Sequence, residues 1–293
     1  MRLQSVDNAV ILDFSTIKTV KADLVLGCDG TFSRVRTEMM KAFPGKVSQE
    51  TFQHQYREFN VPTSACLKPL EFLHIWPRKD LMLIALPNHD GSFTATFFCD
   101  FDKVGPDPLE FFNGNFPDFV QMVRKEDILK EWNGNTANKL VTIQVDPIGN
   151  DRIVLLGDAA HSILPFYGQG MNAGFEDVQM LMDDLLNCQN FAQLPKAISA
   201  YSSRRVQDAK AIDSLARDNY TEMRNNVLNP VFLVKTRILQ SVNKFFPTAI
   251  LPRYSMISFS SIPYSKIKRR EILQDLIMIL LIGVLIMPIF TDF

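Results

Sequence analysis

The stretch from Arg152 to Leu181, RIVLLGDAAHSILPFYGQGMNAGFEDVQML, constrains the fold more than any other part of the chain. It begins with an apolar run typical of a buried parallel strand, and it ends in a helical pattern with acidic residues in its first turns. The connection between them carries a proline, several glycines and an aspartate at the end of the strand. A carboxylate in that place is costly unless something binds it. The stretch therefore predicts a strand–loop–helix unit that holds a ligand.

The residue types of this loop indicate what the ligand looks like. Asp158 can accept hydrogen bonds from sugar hydroxyls. Backbone can approach a flat or charged group where no Cβ intrudes, and three glycines provide such places: Gly168, Gly170 and Gly174. The N–H groups of Gly170, Met171 and Asn172 would be free donors at the helix start, which favours a negative group there. A tight β-to-α turn without a ligand is the alternative, but the order of GDAAH, Pro165 and GQGMN favours the ligand.

A second loop lies upstream in LVLGCDGTFSRVR, where Asp29 and Gly30 follow an apolar run. The next residues, TFSRVRTEMMKAF, predict a short helix with Thr31 or Ser33 near its N-cap. By itself this loop is equally consistent with an ordinary capped strand–turn–helix. Further along, residues 50–102 contain strand-like pieces separated by breakers, which predicts an antiparallel sheet. A long helix is predicted from about Pro195 to Val227.

Composition excludes several classes of function. The net charge is −1, so the chain lacks the excess of Lys and Arg that nucleic-acid binding requires. The four histidines form no HxxxH or HExxH pattern, and we expect no metal site. The four cysteines are scattered without paired spacing, which indicates reduced thiols in a cytosol-facing protein.

The C-terminal stretch predicts contact with a lipid bilayer. LIMILLIGVLIMPIF, from Leu276 to Phe290, is apolar without interruption and follows the basic segment KIKRRE. Counted from Ile272, it reaches about the length that crosses a bilayer. A basic flank before a terminal apolar segment predicts a C-terminal transmembrane anchor with the bulk of the chain in the cytosol. A buried core helix or an interfacial hairpin is the alternative.

The two loops resemble those of a known family. GDAAHSILPFYGQGMNAGFED resembles the ribityl-binding motif of FAD-dependent aromatic hydroxylases, which are single-component flavoprotein monooxygenases. The pattern Asp29-Gly30-x-x-Ser33-x-x-Arg36 is similar to the family's second motif, which serves both FAD and NADPH. Four strings are similar to the kynurenine 3-monooxygenases within it: LHIWPRKDLMLIALPN, PFYGQGMNAGFED, DNYTEMR and PRYSMISFSSIPY. The resemblance, which begins at Ala22, implies hydroxylation of L-kynurenine to 3-hydroxykynurenine with NADPH and O2.

The resemblance also implies roles for single positions. FAD would contact residues of both loops, with Asp158 on the ribityl chain: Asp29, Gly30, Arg36, Gly157, Asp158, Pro165, Gly168, Gly170, Met171 and Asn172. The aromatic amino-acid substrate would contact a second set: Phe166, Tyr167, Gln169, Asn219, Glu222 and Tyr254. No side chain is assigned a catalytic role, because the flavin carries the chemistry. Core packing for Phe166 and a helix-face ion pair for Glu222 remain open, and His161 is interpreted as a fold element.

The expected fold class is α/β (α+β), with an incomplete Rossmann-like FAD-binding domain of the aromatic-hydroxylase type. Residues 1–49 and 149–190 would form that domain, and residues 50–148 would form an antiparallel substrate subdomain. Residues 191–265 would be a helical substrate-pocket region, and residues 266–293 would be the basic flank and transmembrane helix. The family's tail holds it on the mitochondrial outer membrane, facing the cytosol; the endoplasmic reticulum membrane is the alternative.

One element of the family pattern is missing. Complete members open with a strand, G-x-G-x-x-G and a helix, which hold the ADP pyrophosphate. The nearest approach here, Gly168-x-Gly170-x-x-x-Gly174, has different spacing. We therefore expect a chain that lacks the N-terminal dinucleotide-binding segment, with compromised activity. The alternatives are an inactive membrane-anchored relative or partner, and another flavin-dependent aromatic hydroxylase.

Overall fold

The computed structural model describes residues 2–6, 9–16, 18–65, 67–225, 230–245, 247 and 250–291. Within these ranges the side chains of residues 224–225, 230–233, 235, 240 and 278–291 are not described. The chain forms two compact units. The first comprises Met1–Gln49, Thr142–Asn219 and Leu233–Phe293, and the second comprises Glu50–Val141 and Tyr220–Phe232. The five segment boundaries expected from the sequence stay a prediction.

Strands and helices both contribute to the fold. The described strands are, in chain order, β1 (Arg2–Val6), β2 (Ala9–Asp13), β3 (Val20–Ala22), β4 (Val25–Gly27), β5 (Lys46–Val61), β6 (His74–Arg78), β7 (Leu81–Pro87), β8 (Phe93–Cys99), β9 (Asn138–Asp146), β10 (Gly149–Asn150) and β11 (Ile153–Leu155). The described α-helices are α1 (Arg34–Ala42), α2 (Pro108–Asn115), α3 (Pro117–Met122), α4 (Lys125–Gly134), α5 (Asp158–His161), α6 (Gly170–Leu185), α7 (Leu194–Asn225), α8 (Pro230–Phe245), α9 (Arg253–Ser258) and α10 (Tyr264–Thr291). The predicted mixture of helices and strands is confirmed.

The first unit contains the buried parallel strand that the sequence predicts before Gly157. β11 pairs with β4 in parallel, with Ile153 opposite Val25, and β10 adds to β11 in antiparallel orientation. β1, β2 and β3 form a separate antiparallel sheet. A Cβ on Gly27, the last residue of β4, would lie 2.8 Å from Leu155 Cδ2 and 2.9 Å from Val35 Cβ. Glycine at this position therefore lets α1 pack closely on the two parallel strands.

The second unit is built on a five-stranded sheet in the order β6-β7-β8-β5-β9. The pairings β6–β7, β7–β8 and β5–β8 are antiparallel, as predicted for residues 50–102. Alternate side chains of β8 (Phe93, Ala95, Phe97 and Cys99) contribute to a core shared with α2, α3 and α4. Phe97 and Phe112 are fully buried there, with ring centroids 5.0 Å apart. Of the 23 phenylalanines in the chain, six are buried in this core and two more pack against it.

The predicted transmembrane helix is not supported. Within the described part of the chain, no helix is long and apolar enough to cross a membrane. α10 includes the apolar stretch, but the side chains from residue 278 onward lie outside the described residues. Upstream of them, Ile272, Leu273 and Leu276 are exposed.

Candidate functional site

The loop between β11 and α6 starts with a backbone turn that glycine favours. Gly157 has φ +58° and ψ −139°, and its carbonyl accepts hydrogen bonds from the N–H groups of Ala160 and His161, both at 2.9 Å. A left-handed φ of this kind strains residues with a Cβ. Asp158 follows on the short helix α5, and its side chain is exposed at the end of the strand. The structure therefore presents this carboxylate outward, as the sequence interpretation requires.

The upstream loop is stabilised by the carboxylate of Asp29. It accepts hydrogen bonds from Ser33 Oγ at 2.5 Å and from the N–H groups of Arg34 and Val35 at 2.6 and 3.0 Å. Ser33 is the N-cap of α1, one of the two candidates from the sequence. Burial alone would raise the pKa of Asp29, but these donors favour the charged form and hold its pKa below the ordinary range. Asp29 thus caps α1 in the structure.

Arg36 and Thr31 join the two loops. The buried guanidinium of Arg36 donates to the carbonyl of Ala159 at 2.9 Å and to the carbonyl of Thr31 at 2.7 Å. Thr31 Oγ1 lies 3.2 Å from Ser162 Oγ and 3.4 Å from an Asp158 carboxylate oxygen. The structure therefore brings together the two motifs that are more than a hundred residues apart. A direct contact of Asp29 or Arg36 with a cofactor stays a prediction.

The far end of the loop exposes backbone at the start of α6. Pro165–Tyr167 form one 3₁₀ turn, which Gly168 ends in a left-handed conformation with φ +64°. At four glycines that belong to the two loops or follow them directly, a Cβ would meet no described atom within 4 Å: Gly30, Gly157, Gly168 and Gly170. Met171, on the first turn of α6, is 72% exposed, and Asn172 is exposed too. This open backbone fits a flat ligand with hydrogen-bonding edges, because the first N–H groups of a helix lack carbonyl partners within it.

The predicted substrate residues of the first unit lie around this turn. Phe166, Tyr167 and Gln169 are buried, and Asn219 Nδ2 donates to the carbonyl of Phe166 at 2.9 Å. Tyr254 on α9 is half exposed, with its ring centroid 6.1 Å from that of Tyr167. The structure therefore brings these five side chains to one end of the loop.

Glu222 is placed differently. It lies on the part of α7 that belongs to the second unit, whereas Asn219 belongs to the first. Its predicted role in substrate binding stays a prediction, as does the alternative of a helix-face ion pair.

A buried ionic network behind the loop was missed by the sequence interpretation. Asp177 on α6 is fully buried, and its carboxylate accepts from the Gly157 N–H at 2.7 Å and from Arg205 Nε at 2.5 Å. His161 Nε2 lies 2.7 Å from the same carboxylate, which agrees with its interpretation as a fold element. The sequence shows Asp177, the last residue of GFED, as an acidic residue in the first turns of a predicted helix. It does not show that Asp177 is buried, because the first turns of a helix do not distinguish the buried face from the exposed face.

The charges of this network stabilise one another. Burial by itself would raise the pKa of Asp177, but the hydrogen bond and charge of His161 and the charge of Arg205 lower it below the ordinary value. Burial would lower the pKa of Arg205, but the carboxylates of Asp177 and Glu176 raise it. Both groups are therefore charged in the folded protein at neutral pH.

A sequence profile decides the family. The profile described as the FAD binding domain matches residues 5–215, which include both loops and the ionic network. The chain belongs to the FAD binding domain family. This membership confirms FAD as the cofactor that the resemblance of the two loops implies.

Curated relatives extend the likeness beyond the profile. The chain is 40% identical over 272 residues to kynurenine 3-monooxygenase of Candida albicans, a match that covers 89% of this chain and 59% of the relative. It is 39% identical over 268 residues to kynurenine 3-monooxygenase of Caenorhabditis elegans, covering 88% of this chain and 58% of the relative. The predicted resemblance to these enzymes is confirmed. The chain spans somewhat less than three fifths of the length of these two relatives.

A solved structure supports the fold. HpxO of Klebsiella pneumoniae, solved in complex with FAD and uric acid, matches with a TM-score of 0.61 at 16% identity. The match covers 83% of this chain and 61% of that chain. At this identity the likeness shows a shared fold.

Proposed function

We propose that this chain provides the flavin- and substrate-binding region of a flavoprotein monooxygenase that hydroxylates kynurenine with NADPH and O2. The observation that carries the proposal is that Arg36 binds the two loops together through the carbonyls of Thr31 and Ala159, while Asp158, the neighbour of Ala159 in the chain, is exposed. At the other end of the loop, a Cβ on Gly170 would meet no described atom within 4 Å. The kynurenine 3-monooxygenase relatives support the choice of substrate.

The chain's own residues suit the parts of FAD. Asp158 is exposed at the end of β11, where its carboxylate can accept hydrogen bonds from the ribityl hydroxyls. The N–H groups at the start of α6 lie where the polar edge of a flat ring can approach without meeting a Cβ on Gly170. FAD, when bound, supplies the redox chemistry of the reaction.

The substrate side combines apolar surface with a few polar atoms. Tyr167 and Tyr254 offer aromatic faces, and Gln169 and Asn219 place amide groups beside them. An aromatic ring with a polar amino-acid side chain matches this combination. Aromatic walls also exclude water, which protects reactive oxygen chemistry from side reactions.

The first experiment measures flavin retention and substrate-dependent turnover. The full chain is loaded with FAD, freed of unbound cofactor, and assayed for NADPH oxidation with and without L-kynurenine. We expect retained flavin absorbance and formation of 3-hydroxykynurenine at a compromised rate, because this sequence does not contain the G-x-G-x-x-G pattern that holds the ADP pyrophosphate. Retained flavin with turnover of a different aromatic compound would favour another hydroxylase of the family. A chain that retains no flavin would contradict the proposal and favour an inactive relative.

The substitution Gly170→Ala tests whether the start of α6 receives the flavin. Alanine raises helix propensity by up to about 1 kcal/mol, and its Cβ would meet no described atom within 4 Å. We therefore expect unchanged or slightly higher Tm, together with loss of flavin affinity of about tenfold or more, because the Cβ would occupy the ligand's space.

Gly114→Ala is the matched control. Gly114 lies in α2, and a Cβ there also meets no described atom within 4 Å. It should show the same small effect on Tm and unchanged flavin affinity. Equal flavin affinity of the Gly170→Ala variant and the wild type would remove the start of α6 from the proposed site.

We also propose, from the sequence, that the apolar C-terminal stretch anchors the protein to the mitochondrial outer membrane with the catalytic region in the cytosol. Exposed apolar side chains on α10, such as Leu273 and Leu276, follow the basic residues Lys268, Arg269 and Arg270. Truncation after Ser265 should move the protein from the membrane pellet to the supernatant. A truncated chain that still pellets with membranes would contradict the anchor. If the full chain fractionates with endoplasmic reticulum markers, the anchor lies in that membrane instead.

A further inference from the structure

We propose that Asp177 and Arg205 are positioning residues that set the shape of the loop between β11 and α6 at both of its ends. Neither side chain reaches the open surface of the loop, since Asp177 and Arg205 are both fully buried. The relevance of this loop to flavin rests on the proposed function. The effect of the buried pair on the shape of the loop rests on the hydrogen bonds that Asp177 and Arg205 form with residues of the loop and of the first turn of α6.

Asp177 controls the first end, at Gly157. Its carboxylate accepts from the Gly157 N–H at 2.7 Å, in the turn where the backbone has its unusual φ and ψ. The same carboxylate binds His161, the last residue of α5. Asp158, which the site presents outward, lies between these two contacts in the chain. One carboxylate therefore fixes the backbone on both sides of Asp158.

Close packing explains why a helix residue can hold this turn. A Cβ on Gly174 would lie 3.6 Å from Gly157 Cα, so α6 passes directly beside the turn. Asp177 is three residues further along α6 and therefore lies on the same face of the helix. The short side chain can then reach the Gly157 N–H without distorting the backbone.

Arg205 controls the second end, at the start of α6. Besides binding Asp177, it donates from Nη2 to the carbonyl of Ala173 at 2.8 Å. Its guanidinium also lies over the ring of Tyr264, 5.9 Å from the centroid. The Tyr264 hydroxyl donates to Gln169 Oε1 at 3.2 Å, and Asn172 Nδ2 lies 3.2 Å from the same oxygen.

This chain of contacts links groups that the site uses. The resemblance assigns Gln169 to the substrate and Asn172 to the flavin. Gln169 Oε1 accepts hydrogen bonds from both Asn172 Nδ2 and the Tyr264 hydroxyl, so Tyr264 helps to fix the positions of both side chains. Arg205 holds the first turn of α6 through Ala173, and Tyr264 packs against its guanidinium. The buried ion pair therefore connects the ribityl side of the loop to its ring side.

The test compares two buried carboxylates in the full chain. Asp177→Asn keeps the size and removes the charge that holds the Gly157 N–H. Asp213→Asn is the matched control, because Asp213 on α7 is also buried and accepts from Gln144 Nε2 at 2.5 Å and from Arg217 Nε at 2.8 Å. NMR hydrogen exchange of the Gly157 amide is measured in both variants and in the wild type.

We expect Gly157 to exchange about tenfold faster or more in Asp177→Asn, because an acceptor with full charge is replaced by a weaker one. The Asp213→Asn variant should exchange at this amide within about twofold of the wild type, since the sites share no partner. Equal Gly157 exchange in Asp177→Asn and wild type would overturn the proposal. So would equal acceleration in both variants, which would indicate a general loss of stability.

A milder variant keeps the second end testable even if Asp177→Asn does not fold. Tyr264→Phe removes one hydroxyl and leaves the ring under Arg205. We expect the side-chain amide resonances of Gln169 and Asn172 to shift, with the control resonance of Gln144 unchanged. Unshifted Gln169 and Asn172 resonances would contradict control of this end through Tyr264.

Flavin titration separates this proposal from the proposed function. If the wild type binds FAD, Asp177→Asn should weaken the affinity by about tenfold and Asp213→Asn by less than about twofold. Wild-type affinity in Asp177→Asn would overturn the positioning role. A wild-type chain that binds no FAD would refute the proposed function, and the exchange and resonance measurements would still decide the positioning role.

Discussion

Replacing Arg205 with methionine is expected to lower the free energy of unfolding by about 3–5 kcal/mol. The substitution leaves the Asp177 carboxylate in the interior without its guanidinium partner, and a buried charge that loses its partner is strongly destabilising. Glu176 and the carbonyl of Ala173 lose a donor as well. For a protein of this size the change corresponds to a fall in Tm on the order of 10 °C, which calorimetry or circular dichroism can measure.

The neighbouring arginine provides a matched control. Arg204 lies on the same helix and forms an ion pair with Asp184 at 2.5 Å, but its side chain is 54% exposed. Arg204→Met removes the same charge and adds the same side chain, and it should cost at most about 1 kcal/mol because exposed pairs contribute little. Similar losses of unfolding free energy in the two variants would show that burial does not increase the contribution of the Arg205 ion pair to stability.

The substitution Phe112→Ala is expected to have an effect of similar size in the second unit. Phe112 is fully buried and lies within 6.2 Å, by ring centroids, of six other aromatic side chains: Phe59, Phe97, Phe111, Phe116, Phe119 and Trp132. Removing a buried phenyl ring costs transfer free energy and leaves a cavity, so the expected loss is about 3–5 kcal/mol. Denaturant unfolding followed by the combined fluorescence of Trp76 and Trp132, which both lie at this core, would report it.

Phe72→Ala is the control for this core. Phe72 is 63% exposed in the same unit, and its removal should change the free energy of unfolding by no more than about 0.5 kcal/mol. Phe112→Leu should fall between the two, because leucine fills part of the space. A Phe112→Ala variant as stable as Phe72→Ala would mean that the aromatic core is not close-packed.

The sequence by itself was sufficient for the strand–loop–helix units. The apolar run before Gly157 predicts a buried strand, and the structure pairs it in parallel with β4. Ser33 was a candidate N-cap, and it accepts from the Arg36 N–H at 2.9 Å. Local rules work here because a strand end, a cap and a glycine turn are decided by residues within a few positions of each other.

The partners of charged side chains were decided by the tertiary structure. The resemblance implies a cofactor contact for Arg36, which stays a prediction, and only the structure shows that its guanidinium binds the carbonyls of Thr31 and Ala159. The second of these partners lies 123 residues away in the chain. No local pattern encodes such a contact, because it exists only once α1 has packed against the loop between β11 and α6.

The adjacent pair Arg204 and Arg205 shows the limit most clearly. The sequence predicts a long helix through both, and it offers no reason to treat them differently. Successive residues of a helix point about 100° apart, so packing α7 against α6 turns Arg205 toward Asp177 and leaves Arg204 at the surface. Sequence periodicity therefore determined that this segment is a helix. Only the packing of the two helices decided which arginine would bind the buried Asp177.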